Sequence, residues 1–100
     1  FNAKCYIDEH VSENISVESL SIHAGISKYH FIRLFKSTFG ISPYQYQKRR
    51  RLEYARFELL EGIPVSDVAL SCGFSDAPAF SKAFRQAFGQ SPGAIQKSNF

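Results

Sequence analysis

The sequence predicts an all-α domain in which two helix-turn-helix subdomains are joined by a long central helix. Apolar residues recur at helical spacing in nearly every segment, and no segment alternates β-branched and polar residues as a strand does. One stretch of the chain also occurs twice. We expect about seven helices in one domain over 1–100, with the first subdomain at about 4–42, the linker helix at about 43–61 and the second subdomain at about 63–98.

The repeated stretch starts at a glycine turn and ends at a proline. Gly-Ile-Ser at 25–27 and Phe-Gly-Ile-Ser-Pro at 39–43 reappear as Gly-Phe-Ser at 73–75 and Phe-Gly-Gln-Ser-Pro at 88–92. The glycines are offset by 48 and the later phenylalanines by 49, so one residue is inserted after Ser75. Two copies are too few for a solenoid. They indicate a protein that meets its partner with two similar surfaces.

Capping residues and glycines bound the expected helices of the first subdomain. A first helix is expected over about 4–14, and Ser16 is a suitable N-cap for a second helix that Gly25 ends. Ser27 caps a third helix, which Gly40 stops. Two short helices separated by a glycine turn are typical of a helix-turn-helix.

The second subdomain follows the same pattern after the linker helix. Pro64 suits the first position of a short helix, and Gly73 turns the chain. Either Ser75 or Asp76 caps the last long helix, and Pro92 opens a short terminal turn.

Helical angles separate a buried stripe from an outer face on each repeated helix. The expected buried stripes are Phe31, Leu34, Phe35 and Phe39 in the first copy, and Phe80, Ala83, Phe84 and Phe88 in the second. The outer faces hold Tyr29, Ile32, Arg33 and Lys36 in the first copy, and Pro78, Ser81, Lys82 and Arg85 in the second. Charged outer faces are ordinary on surface helices. Basic residues at equivalent places in both copies nevertheless favour a role in the major groove, where arginine can hold guanine through two hydrogen bonds.

The linker helix is apolar on two sides, which predicts a strut packed between two bodies. The two sides are Leu52, Ala55 and Leu59, and Tyr46, Phe57 and Leu60. The run from Lys48 to Arg51 sweeps most of a helical turn. We therefore expect one or two of these four to touch phosphate at most, the others being solvated or paired with acids such as Glu53.

Composition favours a polyanionic partner and argues against an enzyme. The formal net charge is +3, but residues 1–18 carry −3 and the remaining 82 residues carry +6. No catalytic constellation is visible, and the three histidines lack metal-ligand spacing, so no cofactor or metal is expected.

Cys5 and Cys72 are expected to be two buried thiols in a reducing compartment. Because the chain begins at Phe1, we expect it to be a C-terminal part of a longer protein.

The motifs together resemble the DNA-binding domain of AraC/XylS-type transcription regulators over about residues 4–96. The first half contributes the pattern from Leu20 through Gly25-Ile26-Ser27 and Phe31 to Phe39-Gly40-Ile41-Ser42-Pro43, followed by Arg51-Leu52. The more specific second half contributes Gly73-Phe74-Ser75-Asp76, Phe80-Ser81-Lys82-Ala83-Phe84-Arg85, and Phe88-Gly89 with Ser91-Pro92.

The resemblance implies two recognition helices in successive major-groove segments, about one helical turn apart. It implies these base-contacting residues: Tyr29, Ile32, Arg33, Ala77, Pro78 and Lys82. The expected phosphate-contacting residues are Ser27, Lys28, His30, Lys36, Ser75, Ser81 and Arg85, although His30 could instead lie beside the core stripe. The resemblance implies a bacterial, cytoplasmic regulator of transcription, and an activator more often than a repressor. Its partner is double-stranded DNA, with RNA polymerase as a second candidate and an effector and dimerisation region N-terminal to these residues.

The chain departs from the family pattern in three places. Ser21 replaces the usual alanine, and Ile95-Gln96 replaces an aromatic–arginine pair. Ala77 and Pro78 have no side-chain donors, so we expect the second subdomain to read few bases, while the free N–H groups at the start of its recognition helix hold phosphates. Two other function classes stay open at this point: a helical protein-interaction module, and an enzyme with Cys72 as nucleophile.

Overall fold

The computed structural model describes residues 1–11, 13 and 15–99, and this part of the chain contains seven α-helices and no strand. The helices are α1 (Ala3–Glu9), α2 (Val17–Ala24), α3 (Lys28–Phe39), α4 (Pro43–Leu60), α5 (Val65–Ser71), α6 (Ala77–Phe88) and α7 (Pro92–Asn99). The prediction of an all-α fold is therefore confirmed. The chain forms two compact units, Phe1–Arg50 and Arg51–Phe100, and the boundary falls inside α4.

The caps lie close to where the sequence predicts them. Ser16 and Ser27 cap α2 and α3, and Asp76, rather than Ser75, caps α6 through a 2.8 Å bond from the Ala79 N–H. Pro64 is the N-cap of α5 and not its first helical residue, because its ψ of 144° is extended.

The first helix is shorter than predicted. It ends at Glu9, and His10 is its C-cap. The His10 ring nitrogen Nδ1 lies 2.7 Å from the carbonyl oxygen of Tyr6, so the side chain occupies an acceptor at the end of the helix. The predicted end at Asn14 lies outside the described residues.

The core of the first unit consists of Ile7, Leu20, Phe31 and Phe35, all almost completely buried. The other two members of the predicted stripe are wrong, because Leu34 is 51% and Phe39 is 42% exposed. Both line an open groove of about 420 Å³ together with Ala24 and Ile26, so no side chain among the described residues of this unit covers them fully.

The core of the second unit is larger and closes around α4. Its buried residues are Leu52, Ala55, Leu59, Val68, Ala69, Cys72, Phe80, Ala83, Phe84 and Ile95. One side of the linker helix is therefore buried as predicted. The prediction of a second buried side is wrong for Phe57, which is 57% exposed.

Polar contacts at α4 and α7 use residues that the sequence left without a role. In the first unit, Asp8 accepts hydrogen bonds from the Tyr46 hydroxyl at 2.5 Å and from Arg50 Nε at 3.0 Å. In the second unit, Gln96 Nε2 donates to the carbonyls of Leu59 at 3.2 Å and Ile63 at 2.7 Å. Gln96, at the position that departs from the family pattern, thus joins α7 to the end of α4.

The two cysteines differ in burial. Cys5 is exposed, so its predicted burial is wrong, whereas Cys72 is buried as expected. Burial raises the pKa of the Cys72 thiol to about 11, above the ordinary 9.0. Because the folded-state pKa is raised, the protonated thiol stabilises the fold below about pH 9, and this contribution is lost as the pH rises through about 11.

Truncating the buried phenylalanines should destabilise the domain. Phe35→Ala and Phe84→Ala should each lower the free energy of unfolding by about 3–5 kcal/mol, a large part of the total for a small domain. Phe57→Ala is the matched control and should change it by about 0.5 kcal/mol or less, since that ring is mostly exposed. Chemical denaturation measures all three. A control that loses as much as the core variants would contradict the assignment of buried faces.

Cys5 and Cys72 should react at different rates with a thiol reagent at pH 8. Cys5 should react quickly, and Cys72 should react slowly until denaturant is added, because its thiolate is scarce and shielded. Mass spectrometry of the labelled peptides measures each rate. Equal rates in the folded protein would show that Cys72 is not in the core.

Candidate nucleic-acid interface

The first recognition helix, α3, exposes the side chains that the sequence assigns to base contacts. Tyr29 is 77% exposed, Arg33 is exposed, and Ile32 is half-buried at the flank. Phe31 and Phe35 lie on the opposite side in the core, with ring centroids 6.0 Å apart. The burial of one side therefore fixes which residues α3 presents to a partner.

The N-terminal end of α3 is held by two polar contacts. The Ser27 hydroxyl oxygen accepts the His30 N–H at 3.2 Å, so the serine acts as a cap. Lys28 Nζ lies 2.7 Å from Glu18 Oε1, with both side chains largely in solvent. This hydrogen bond lowers the pKa of Glu18 and raises that of Lys28. A phosphate at Lys28 would have to compete with that carboxylate.

His30 and Lys36 complete the set of possible phosphate contacts on α3. Both side chains are exposed. The alternative position for His30, beside the core stripe, is therefore wrong, because its ring lies on the solvent side of the helix.

The second recognition helix, α6, presents fewer hydrogen-bonding side chains near its start. Pro78, Lys82 and Arg85 are exposed, whereas Ala77 and Ser81 are half-buried. Phe80 and Phe84 lie in the core, with ring centroids 5.6 Å apart. The outer cations at positions 82 and 85 correspond to those at 33 and 36 in α3, as the repeat predicts.

The start of α6 is less open to an anion than the sequence suggested. Ser75 is exposed, but the Asp76 carboxylate accepts the Ala79 N–H at 2.8 Å. That N–H is therefore not free to hold a phosphate, and a negative charge stands at the helix N-terminus. The corresponding cap of α3 is the neutral Ser27.

The basic residues of α4, from Lys48 to Arg51, do not share one environment. Arg50 is paired with Asp8, so one member of the run is paired with an acid, as expected. The Arg51 guanidinium lies against the turn at Gly73, and Lys48 is exposed. Sequence reasoning missed Asp8 as the partner of Arg50, and Glu18 as the partner of Lys28 on α3, because contacts between separate helices leave no periodic pattern in the chain.

Three further observations concern the described part of the chain. No helix there is long and apolar enough to cross a membrane. No three side chains among His, Cys, Asp and Glu in the same residues could together hold a metal ion. The high pKa of the buried Cys72 also keeps its thiol protonated near neutral pH, which disfavours a nucleophilic role.

Each unit contains two helices joined by a turn at a glycine, and the second helix of each has a basic outer face. This arrangement defines a helix-turn-helix DNA-binding domain. Comparison with known proteins agrees, since residues 20–98 match the model of a helix-turn-helix domain family. A solved probable AraC family transcriptional regulator from Rhodopseudomonas palustris has a TM-score of 0.88 and 32% identity, covering 97% of this chain and 93% of that one. The chain therefore belongs to the AraC family of transcription regulators, whose DNA-binding domain it forms.

Two further relatives bear on function. The probable transcriptional regulator LumQ of Photobacterium leiognathi is 45% identical over 92 residues, which are 91% of this chain and 37% of that protein. The DNA-binding domain of AdpA, solved in complex with a target DNA, has a TM-score of 0.81 and 33% identity over 96% of this chain and 87% of that one. The chain spans about a third of the length of the curated relatives it matches.

Arg33 should contribute to sequence preference and not only to affinity. Arg33→Ala should weaken binding to the preferred site by about 1–3 kcal/mol and relax the preference at one base pair, because a bidentate contact to guanine is lost. Arg33→Lys is the matched control, since it keeps the charge but not the planar pair of donors. Competition binding measures each variant on cognate and random duplexes. An equal loss on both duplexes would make Arg33 a phosphate contact.

Proposed function

We propose that this domain reads double-stranded DNA through two unequal surfaces, with α3 setting most of the sequence preference and α6 contributing mainly affinity and position. The observation that carries the proposal is the contrast at equivalent positions of the repeat. Tyr29 and Arg33 are exposed on α3, whereas Pro78 and Lys82 stand at those places on α6.

The α3 side chains can make three kinds of base contact. The Arg33 guanidinium can donate two hydrogen bonds to guanine, and the Tyr29 hydroxyl can donate or accept one. Ile32, half-buried at the flank, offers an apolar surface for a thymine methyl group. Ser27, Lys28, His30 and Lys36 supply the phosphate contacts that fix α3 on the duplex.

The α6 side chains are better suited to holding DNA than to reading it. Ala77 can at most touch a thymine methyl, and Pro78 donates nothing. Lys82 is a mobile point charge without the fork of arginine. The remaining phosphate contacts are Ser75, Ser81 and Arg85. The Asp76 carboxylate makes the N-terminus of α6 a poor site for phosphate.

The wider role of the protein follows from its family. The relatives from Rhodopseudomonas palustris and Photobacterium leiognathi come from bacteria, and both are described as probable transcriptional regulators. We infer a cytoplasmic regulator of transcription, more often an activator, with the two recognition helices in successive major-groove segments. Contacts with RNA polymerase, and an effector and dimerisation region N-terminal to this domain, belong to the same proposal.

A helical protein-interaction module is the alternative function, because exposed Tyr54 and Phe57 on α4 lie with their ring centroids 6.3 Å apart. The salt dependence of binding distinguishes the two functions. DNA binding should weaken by about 0.9 log units per neutralised phosphate for each log unit of salt, whereas an apolar protein contact should change little. A flat salt dependence with a selected duplex would favour the alternative.

A base-by-base substitution scan should show two halves of unequal information. A site selected from random duplexes should contain a constrained half of about four or five base pairs and a permissive half one helical turn away. Cleavage footprinting with a reagent attached near Arg33 should map the constrained half to α3. Equal constraint in both halves, or a constrained half that maps to Lys82, would contradict the proposal.

A further inference from the structure

The turns of the two helix-turn-helix units have the same backbone. Gly25 has a φ of 73° and Gly73 a φ of 90°, both in the left-handed region that glycine adopts readily. In both turns the residue after the glycine donates its N–H to the carbonyl five residues earlier: Ile26 to Ser21 at 3.2 Å, and Phe74 to Ala69 at 3.0 Å. These pairs correspond at the repeat offset of 48, so one turn is built twice.

A side chain lies over the second turn only. Arg51 Nη1 is 3.0 Å and Cζ is 3.8 Å from the point that a Cβ on Gly73 would occupy. Around the equivalent point on Gly25, apart from Gly25 itself and its two chain neighbours, no atom of the described residues comes within 4 Å. Arg51 is half-buried, and its charge also acts on Cys72, opposing the rise in pKa that burial causes.

The sequence explains this difference between the turns. When the offset of 48 is continued toward the N-terminus, Ala3 is the position equivalent to Arg51. Ala3 lines the same groove as Ala24 and Ile26, the two neighbours of Gly25. The alanine side chain is too short to reach over the glycine. The first turn is therefore left uncovered in this unit, whereas the second carries a guanidinium.

We propose that Arg51 is a positioning residue for DNA recognition: it holds the α5–α6 turn at Gly73 and so sets the direction in which α6 meets the duplex. A planar guanidinium with five donors suits a glycine turn, where no Cβ prevents close approach. On this assignment Arg51 does not touch DNA, although it belongs to a run of four basic residues. The inference rests on the proposed function, in which α6 contacts one half of the site.

Hydroxyl-radical footprinting of a selected duplex with the full-length protein tests the proposal. Arg51→Ala should weaken binding about tenfold, the equivalent of one lost base contact, and should remove protection of the α6 half while the α3 half stays protected. Gly73→Ala should do the same, because its Cβ displaces the guanidinium. Combined with Arg51→Ala, it should cause no further loss of protection. All measurements are made well below each melting temperature.

Two controls separate positioning from other roles. Gly25→Ala places the same strain on a left-handed turn but meets no side chain, so protection of the α6 half should persist. Lys48→Ala should remove one cation without changing the footprint. Unchanged protection in Arg51→Ala would overturn the inference. An equal loss of affinity on cognate and random DNA, with both halves still protected, would also overturn it by making Arg51 a phosphate contact.

The failure of the proposed function has a different signature. If the parent protein itself protects only one half of the site, the two-surface function fails, and the role of Arg51 fails with it. If the parent protects both halves and Arg51→Ala does likewise, only the inference fails. Should Arg51→Ala not fold, Gly73→Ala decides the matter, with Gly25→Ala as the control for the strain of an alanine in a left-handed turn.

Discussion

Two phenylalanines one helical turn apart anchor each recognition helix, and the use of the outer faces depends on these pairs. Phe31 with Phe35, and Phe80 with Phe84, are 4% exposed or less. A helix fixed in the core along one side cannot rotate about its axis without exposing large apolar areas, at about 25 cal/mol for each Å². The orientation of every outer side chain is therefore set by packing on the opposite side of its helix.

Features that depend on local sequence could be predicted well. Ser16 and Ser27 cap their helices because a short hydroxyl side chain can reach an N–H in the first turn. Gly25 and Gly40 end helices in the left-handed conformation as their positions suggested. In each case the interacting groups lie within about four residues of one another.

Features that depend on packing between helices could not be predicted. Leu34 and Ala83 occupy equivalent positions on α3 and α6 by helical angle. Leu34 is nevertheless 51% exposed and Ala83 only 9%, because the surroundings of the two stripes differ between the units. The contact of Lys28 with Glu18 spans ten positions, and that of Arg50 with Asp8 spans 42. No periodic pattern indicates such pairs. For the same reason the sequence did not distinguish Arg51, beside Gly73, from its basic neighbours.

The separation of buried from outer side chains also bears on how such domains diverge. Tyr29, Arg33 and Lys82 are exposed, and substitutions at exposed positions usually change the free energy of unfolding by about 0.5 kcal/mol or less. Under the proposed function, a lineage of these chains can therefore exchange one operator for another through folded intermediates at every step. By contrast, a new residue at position 73 must meet both the strained backbone and the Arg51 side chain, so this turn should vary far less among descendants than the helix that follows it.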